Sequence, residues 1–327
     1  VSPRGQVSGR INLPTVYWAQ SSRGASATPG GWIQIFGRNI VRRKDHARLD
    51  LVPETAAAGS ATTATLDDGD IWRAKFSLPI NIRPGTYRLR LSNGDGGEAE
   101  SVDAGTVEIM TAAPVVDRVF DVRAYGAIGD GRANNNHAVA QAIAAAAEAG
   151  GGTVYFPRGR YFMTDALLVP PDVTIKGERT DLVNLVWPDF TDPPDVLIKG
   201  TTRFAIEDLT IYTSNHRHVV AGGFIDGDTP MANASDIAIR RVRIRASAFR
   251  AMFDLDATFR RMTDIGRKYP GGGPDTVRLS GDRVELTDCD VVGSGRALYL
   301  FNASNAVISG NILVNGRFGW YLSLIHI

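Results

Sequence analysis

Residues 149–161 read AGGGTVYFPRGRY, three consecutive glycines followed at once by an apolar, β-branched and aromatic run. The order of elements around the glycines decides their meaning. A phosphate-binding loop runs strand, glycines, helix, because the anion sits on the free N–H groups at a helix N-terminus. Here the helix comes first. AVAQAIAAAAEA, from Ala138 to Ala149, is almost pure helix former, and Asn134, Asn135 and Asn136 before it offer a side-chain oxygen as N-cap. Gly150 is expected to end this helix in the left-handed conformation, with Gly151 and Gly152 turning the chain into a strand. The glycines are a helix stop, and the nucleotide-cradle reading falls with that order.

Downstream the chain reads as repeated rungs. FAIEDLTI (204–211), IAIRRVRI (237–244), VELTDCDV (284–291) and AVISGNIL (306–313) share one template, apolar at positions 1, 3, 6 and 8, with position 6 being Leu209, Val242, Cys289 and Asn311 in turn. The last two begin 22 residues apart, one turn of a β-solenoid. The earlier gaps, 33 and 47 residues, predict an insertion or an additional irregular turn in each. Strict alternation breaks between positions 5 and 6, where each rung bends. Asn311 at such a bend suits an internal asparagine stack along the solenoid.

Upstream the pattern differs. Between Pro14 and about Ala112, short alternating runs are separated by turn signals: WIQIFG (32–37), ARLDLV (47–52), ATTATL (61–66), IWRAKFSL (71–78) and TYRLRLSN (86–93). Strands at this spacing with no helical period predict a small antiparallel β-sandwich over 14–112. Pro84-Gly85 turns the chain, Tyr87, Leu89 and Leu91 share one face, and Asn93-Gly94 starts the next turn. Residues 1–13, polar and glycine-bearing, read as a linker or the tail of a lost module.

Two resemblances follow from these stretches. PGTYRLRLSNGDGG resembles the immunoglobulin-like IPT/TIG modules found beside carbohydrate-active domains. From Phe120 to Glu178 the chain resembles the opening of the pectate-lyase-like superfamily, in particular the rhamnogalacturonase or epimerase-like, glycosyl hydrolase family 28-related proteins. That match rests on Tyr125 to Ala127 followed by Gly129 to Gly131, the helix, the GGGTVYFPRGRY strand, and VTIKG at Val173 to Gly177. It implies an all-β fold, a right-handed single-stranded parallel β-helix with an N-terminal capping helix over 114–321. One departure stands out. Relatives usually carry Thr-Asp-Asp-Thr where this chain has Ala133-Asn134-Asn135-Asn136, which removes the charge that favours the positive helix end and any cation bound there. Fold does not fix activity, since the superfamily holds lyases, hydrolases, epimerases and non-catalytic adhesins.

Composition bounds the rest. The 327 residues are 43% hydrophobic with a formal charge of +1, so no global field recruits nucleic acid or an anionic membrane. The single cysteine, Cys289, excludes an internal disulfide framework and a cysteine-rich zinc site. No run of 18 apolar residues exists to span a membrane. The chain starts at Val1 without Met and is expected to be cut at its front. Leu322 to Ile327 looks like the translation of a transposon-end adapter from a sequencing library, against the alternative of a natural apolar strand. A β-helix needs a terminal cap, and no charged, proline-bearing or helical segment after Asn311 supplies one, so the β-helix is expected to be truncated.

Candidate chemistry comes from alternation. In FDLD, Phe253 and Leu255 point inward, so Asp254 and Asp256 point out together, about 6.5 to 7 Å apart. Asp226 and Asp228 belong to a loop, GGFIDGDTP. Paired carboxylates suit glycoside hydrolysis, although an outward Asp on a solenoid strand is more often a solvated face. His216 and His218, in TSNHRHVVAGG, suit acid or base work near neutral pH, with polar loop residues as the alternative. Arg241, Arg243 and Arg245 form a row that would meet uronate carboxylates, or simply a solvated basic face. Trp187 and Trp320 either stack on sugar rings or pack. The carboxylate-and-histidine runs of true polygalacturonases are absent, so no catalytic residue is carried over. The reading is a carbohydrate-active enzyme that hydrolyses an acidic, uronate-containing polysaccharide. The alternatives are β-elimination by a lyase, for which Ca²⁺ would be the cofactor, and a non-catalytic glycan-binding or structural solenoid. Hydrolysis implies no cofactor and no metal. The family resemblance implies a secreted or cell-envelope location; the oligomeric state is open.

Overall fold

A computed structural model describes residues 12–55, 60–95, 100–111, 118–190, 192–247, 274–293, 295–315 and 321–323. Two compact units divide the chain, residues 1–114 and 115–327. No helix among the described residues is long and apolar enough to cross a membrane.

The first unit has eight strands: β1 (Thr15–Ser21), β2 (Ser26–Ala27), β3 (Trp32–Arg38), β4 (Ala47–Pro53), β5 (Thr62–Gly69), β6 (Arg73–Ser77), β7 (Gly85–Asn93) and β8 (Val102–Ile109). They pair in the order β1-β3-β6-β5-β4-β7-β8-β2, antiparallel except for the short parallel contact of β2 with β8. Period-2 alternation sends Ile33, Ile35 and Phe76 from one half of this path into the same core as Leu49, Leu51, Leu89 and Leu91 from the other. The path therefore closes over itself as a sandwich. Tyr87 is buried with its hydroxyl donating to the Arg83 carbonyl at 2.9 Å, which pins the turn before β7.

The second unit is a parallel β-helix with three walls. The first wall holds Leu167–Val169, Val196–Gly200, His218–Gly222, the front of Asp275–Thr287, and Arg296–Ser304. Backbone pairing continues to Tyr321–Ser323. The second wall holds Val119–Asp121, Gly152–Phe156, Val173–Gly177, Phe204–Glu207, Ser235–Arg240, the back of Asp275–Thr287, and Val307–Ser309. The third runs from Asp130–Asn134 to Ile312–Asn315. Every rung is parallel to the next, so every inward residue stacks on an inward residue. The result is one continuous core that includes Ile175, Ile206, Ile239 and Leu286.

The four-rung template has the register that pairs: Phe204 lies beside Ile237, Ile237 beside Val284, and Glu285 beside Val307. Its position 5 is left-handed in every rung, with φ of 57° at Asp208, 52° at Arg241, 53° at Asp288 and 68° at Gly310. That conformation is the bend, and it lets position 6 turn inward. Asn311 does not stack on other asparagines. Position 6 of the preceding rung is Cys289, and Asn311 bridges rungs by accepting from the Cys289 N–H at 2.9 Å and donating to the Leu286 carbonyl at 2.7 Å. Cys289 itself is buried, and burial pushes its thiol up to about 11.

The helix Asn136–Glu148 closes the front of the β-helix by burying Ala138, Val139, Ala142, Ile143 and Ala146 in the common core. Gly150 ends it with φ of 81°, and the N–H groups of Gly150 and Gly151 bond back to Ala147 and Ala146. Its N-terminus is built differently from expectation. Asn135 sits at the cap position but caps nothing. Its side chain accepts from the Ile128 N–H at 2.6 Å and donates to Ala133, tying the glycine turn to the β-helix. Trp187 is 3% exposed and bonded to the Asp165 carbonyl, a packing residue and no sugar platform.

Candidate active site

The 33-residue spacing between rungs is longer than the 22-residue minimum because residues 223–234 leave the first wall as a loop before the second wall begins. The 47-residue spacing accommodates residues 248–273, which carry Asp254 and Asp256 and lie outside the described residues. Both insertions flank the first wall in sequence. Polar groups concentrate there.

Register places His218, Asp275 and Arg296 side by side on three successive rungs of that wall. Arg278, also from the first wall, lies between the rings of Phe224 and Tyr299, 4.7 and 4.9 Å from their centroids. Its guanidinium holds Asp228 of the loop at 2.8 Å and Asp275 at 3.1 Å, and donates to the Gly227 carbonyl. Arg217, only 8% exposed, bridges two carboxylates: Asp195 at 3.0 Å and Asp228. Arg296 grips Asp275 with two nitrogens. The layering is clear. Arg217, Arg278, His218 and Asp275 are buried, while Asp195 and Asp228 lie above them with side chains 57% and 61% exposed.

Each ionisation follows from that layering. Burial alone would raise Asp228, but the hydrogen bonds from Arg278 and Arg217 outweigh it and hold the carboxyl below its ordinary value. It is an ionised, solvent-facing carboxylate at neutral pH. Asp275 shifts the other way because its complete burial outweighs Arg296 and Arg278. With no exposed surface it cannot reach a substrate, and its place is to position the two arginines. His218 is held well below its usual value by burial and by Arg278 and Arg217. Its Nδ1 accepts the Asp275 N–H at 3.1 Å, which puts the ring proton on Nε2; the Arg278 nitrogen 3.1 Å away is donor-only and cannot accept it, and the carboxylate on that side is Asp228 at 3.9 Å. No free lone pair remains on His218 to take a substrate proton.

The other candidates are spent on structure. Asp226 accepts the N–H groups of Asp228 and Thr229 and the Thr229 hydroxyl, and these bonds lower its pKa while shaping the loop that presents Asp228. His216 is fully buried, and neither ring nitrogen has a hydrogen-bond partner among the described residues. The arginine row is neutralised in place. Arg241 sits at a bend on Asp208 and Glu207, whereas Arg243 and Arg245 both hold Asp290. A uronate would have to displace those carboxylates. Sequence reasoning missed Asp195, Arg217, Asp275, Arg278 and Arg296. The signal for Arg296 was its 21-residue offset from Asp275, close to one rung.

Residues 119–190 match the family model described as rhamnogalacturonase A/epimerase, pectate lyase-like. The second unit is a parallel β-helix whose front resembles that family. The chain is 30% identical over 218 residues to mannuronan C5-epimerase AlgE1 of Azotobacter vinelandii, covering 60% of this chain and 14% of that protein. It is 32% identical over 147 residues to alginate lyase 7 of the same organism, covering 38% of this chain and 17% of that one. Among solved structures, the A-module of A. vinelandii mannuronan C-5 epimerase AlgE4 superposes with a TM-score of 0.47 at 22% identity, covering 63% of this chain and 53% of that one. The chain thus spans less than a fifth of the length of the two curated relatives.

Proposed function

We propose that this pectate-lyase-like β-helix hydrolyses a uronate-containing polysaccharide laid along its first wall, with Asp228 and Asp195 as the working carboxylates. The observation that supports this is the pair itself: two exposed carboxylates joined by one buried guanidinium, Asp228 kept ionised by a second arginine beneath it. Hydrolysis of a glycosidic bond uses one carboxylate as base or nucleophile and another as acid. Asp228 takes the first part, and Asp195, bonded to Arg217 at 3.0 Å, is the second carboxylate of the pair. Arg217 fixes their separation, and Arg278, clamped between Phe224 and Tyr299, keeps Asp228 from rotating away. The substrate class is supported by relatives named for mannuronan and alginate, both uronate polymers.

A second reading has its own support in those names, one an epimerase and one a lyase. Both reactions begin with removal of the proton α to the uronate carboxyl, and Asp228 would be the base. Calcium finds a poor site in the described residues. Only Asp195 and Asp228 are in reach, each already held by Arg217, against the six to eight oxygens the ion takes.

Product analysis on alginate and polygalacturonate separates the readings. New reducing ends report hydrolysis, ultraviolet-absorbing unsaturated uronates report elimination, and deuterium uptake at C5 without cleavage reports epimerisation. None of the three, with either polymer, would sink the catalytic reading and leave a binding solenoid.

A further inference from the structure

The first unit carries a surface that its fold does not need. On the sheet half formed by β1, β3 and β6, alternation buries Ile33, Ile35, Ala74 and Phe76 and turns the intervening residues outward. Those outward residues form cross-strand rows. Trp18, Phe36 and Arg73 make one, and Gln20, Gln34 and Lys75 the next; Trp32 and Ser77 make the third. Trp18 is 51% exposed and stacks on Phe36 with ring centroids 4.2 Å apart and planes 10° from parallel. Lys75 Nζ lies 5.2 Å from the centroid of the Trp32 ring. Trp72, 58% exposed, adjoins Arg73.

We propose that this face is a second, non-catalytic binding site for an acidic polysaccharide. Half-exposed aromatic rings on a flat sheet are costly to leave in water and mark a binding surface. Aromatic rings left half exposed along one sheet face offer apolar contact to the faces of pyranose rings. Phe36 and Trp32 are four residues apart on one strand, about 13 Å, far enough for the two aromatic sites to engage different rings of one glycan. Between them lie the amides of Gln20 and Gln34, which offer both donors and acceptors to hydroxyl groups. The cations decide the class of glycan. Arg73 and Lys75 stand on β6, at the side of the face next to β5, where Lys44 meets Asp68 and Ser77 donates to Asp67. Asp68, at the β5 margin, meets Arg73 at 3.7 Å and Lys44 at 3.4 Å through exposed pairs of little strength. Charge complementarity therefore favours carboxylate-bearing sugars over neutral ones.

The inference shares its ligand class with the proposed function but not its residues, so the two can fail separately. The experiment is titration calorimetry of the full chain against alginate oligosaccharides and, in parallel, neutral malto-oligosaccharides, using wild type, Trp18→Ala, Lys75→Gln and Asp228→Asn. The expected result is binding of the acidic oligomer that falls at least tenfold in Trp18→Ala and several-fold in Lys75→Gln, and persists in Asp228→Asn. If Trp18→Ala lowers the melting temperature severely, Lys75→Gln, an exposed change, decides alone. Wild-type affinity in the face variants would overturn the proposal, as would equal affinity for the neutral oligomer. Self-association that is lost in Trp18→Ala, without glycan binding, would reassign the face to a contact between copies of this chain.

Discussion

His216 offers a test of the fold at the edge of the candidate site, because its charge state is tied to folding. The ring is fully buried with no hydrogen-bond partner among the described residues. Burial lowers its pKa from 6.5 to about 4, only partly offset by the neighbouring backbone of Arg217. The unfolded chain therefore takes the proton first as the solution is acidified. Stability from the neutral ring is fully present above pH 6.5, declines as pH falls, and is exhausted near pH 4. A shift of this size corresponds to about 3 kcal/mol in the limit and about 2 kcal/mol by pH 5. The perturbation is His216→Leu, which removes the titration and both unpartnered nitrogens while keeping an apolar side chain in the space. Urea unfolding followed by tryptophan fluorescence at pH 7.5 and pH 5.0 reads the effect. The carboxylates and His218 titrate in both proteins, so the difference of differences isolates His216. Wild type should lose about 2 kcal/mol more than the variant over that interval. Equal losses would mean that the ring is solvated or hydrogen-bonded, and the burial argument would fail.

Other outcomes follow from single contacts. Asp228→Asn and Asp195→Asn should each lower turnover on the active polymer by at least tenfold in proteins that still melt cooperatively, Asp228→Asn at a lower temperature because its charge pairs with the buried Arg217 and Arg278; wild-type rates in both would remove the pair from the chemistry. Asp275→Ala leaves Arg296 and Arg278 without their buried partner and should cost about 3–5 kcal/mol in urea unfolding; a cost under 1 kcal/mol would show that water reaches the site. At the helix stop, a Cβ at Gly150 meets open space, whereas one at Gly151 falls 2.6 Å from the Asp172 carbonyl oxygen. Gly151→Val should therefore destabilise well beyond Gly150→Val, whose cost of about 1–2 kcal/mol is the left-handed backbone alone, and neither should alter nucleotide binding. The reverse order in thermal melts would contradict the geometry of the bend.

Much of the fold was legible because a solenoid writes its contacts at short, regular spacing. Each rung pairs with the next, so the template that begins at Phe204, Ile237, Val284 and Ala306 already states the ladder register. The glycine stop and the bends at position 5 were likewise local, since backbone conformation there depends on a few adjacent residues. The strands β1, β2 and β8 of the sandwich were missed. β1 and β8 carry little apolar alternation, and β2 has only two residues, so all three depend on their partners.

The site was far less readable, for a physical reason. Alternation says whether a side chain points in or out, but not what lies over it. His218 points from a wall strand and yet is buried, because Arg278 of the next rung lies against it, held there by the loop carrying Phe224 and Asp228. Arg243 and Arg245 read as free cations until Asp290, on the next rung, occupies them. Asp195, Arg217 and Asp228 are scattered over 34 positions and converge only when two rungs and a loop are superimposed. The sequence by itself determined the parallel ladder, its bends and its capping helix, all products of neighbouring residues and a fixed repeat. Which carboxylates stay exposed and ionised was decided by the tertiary structure, because charge is set by the groups that burial brings within hydrogen-bond reach.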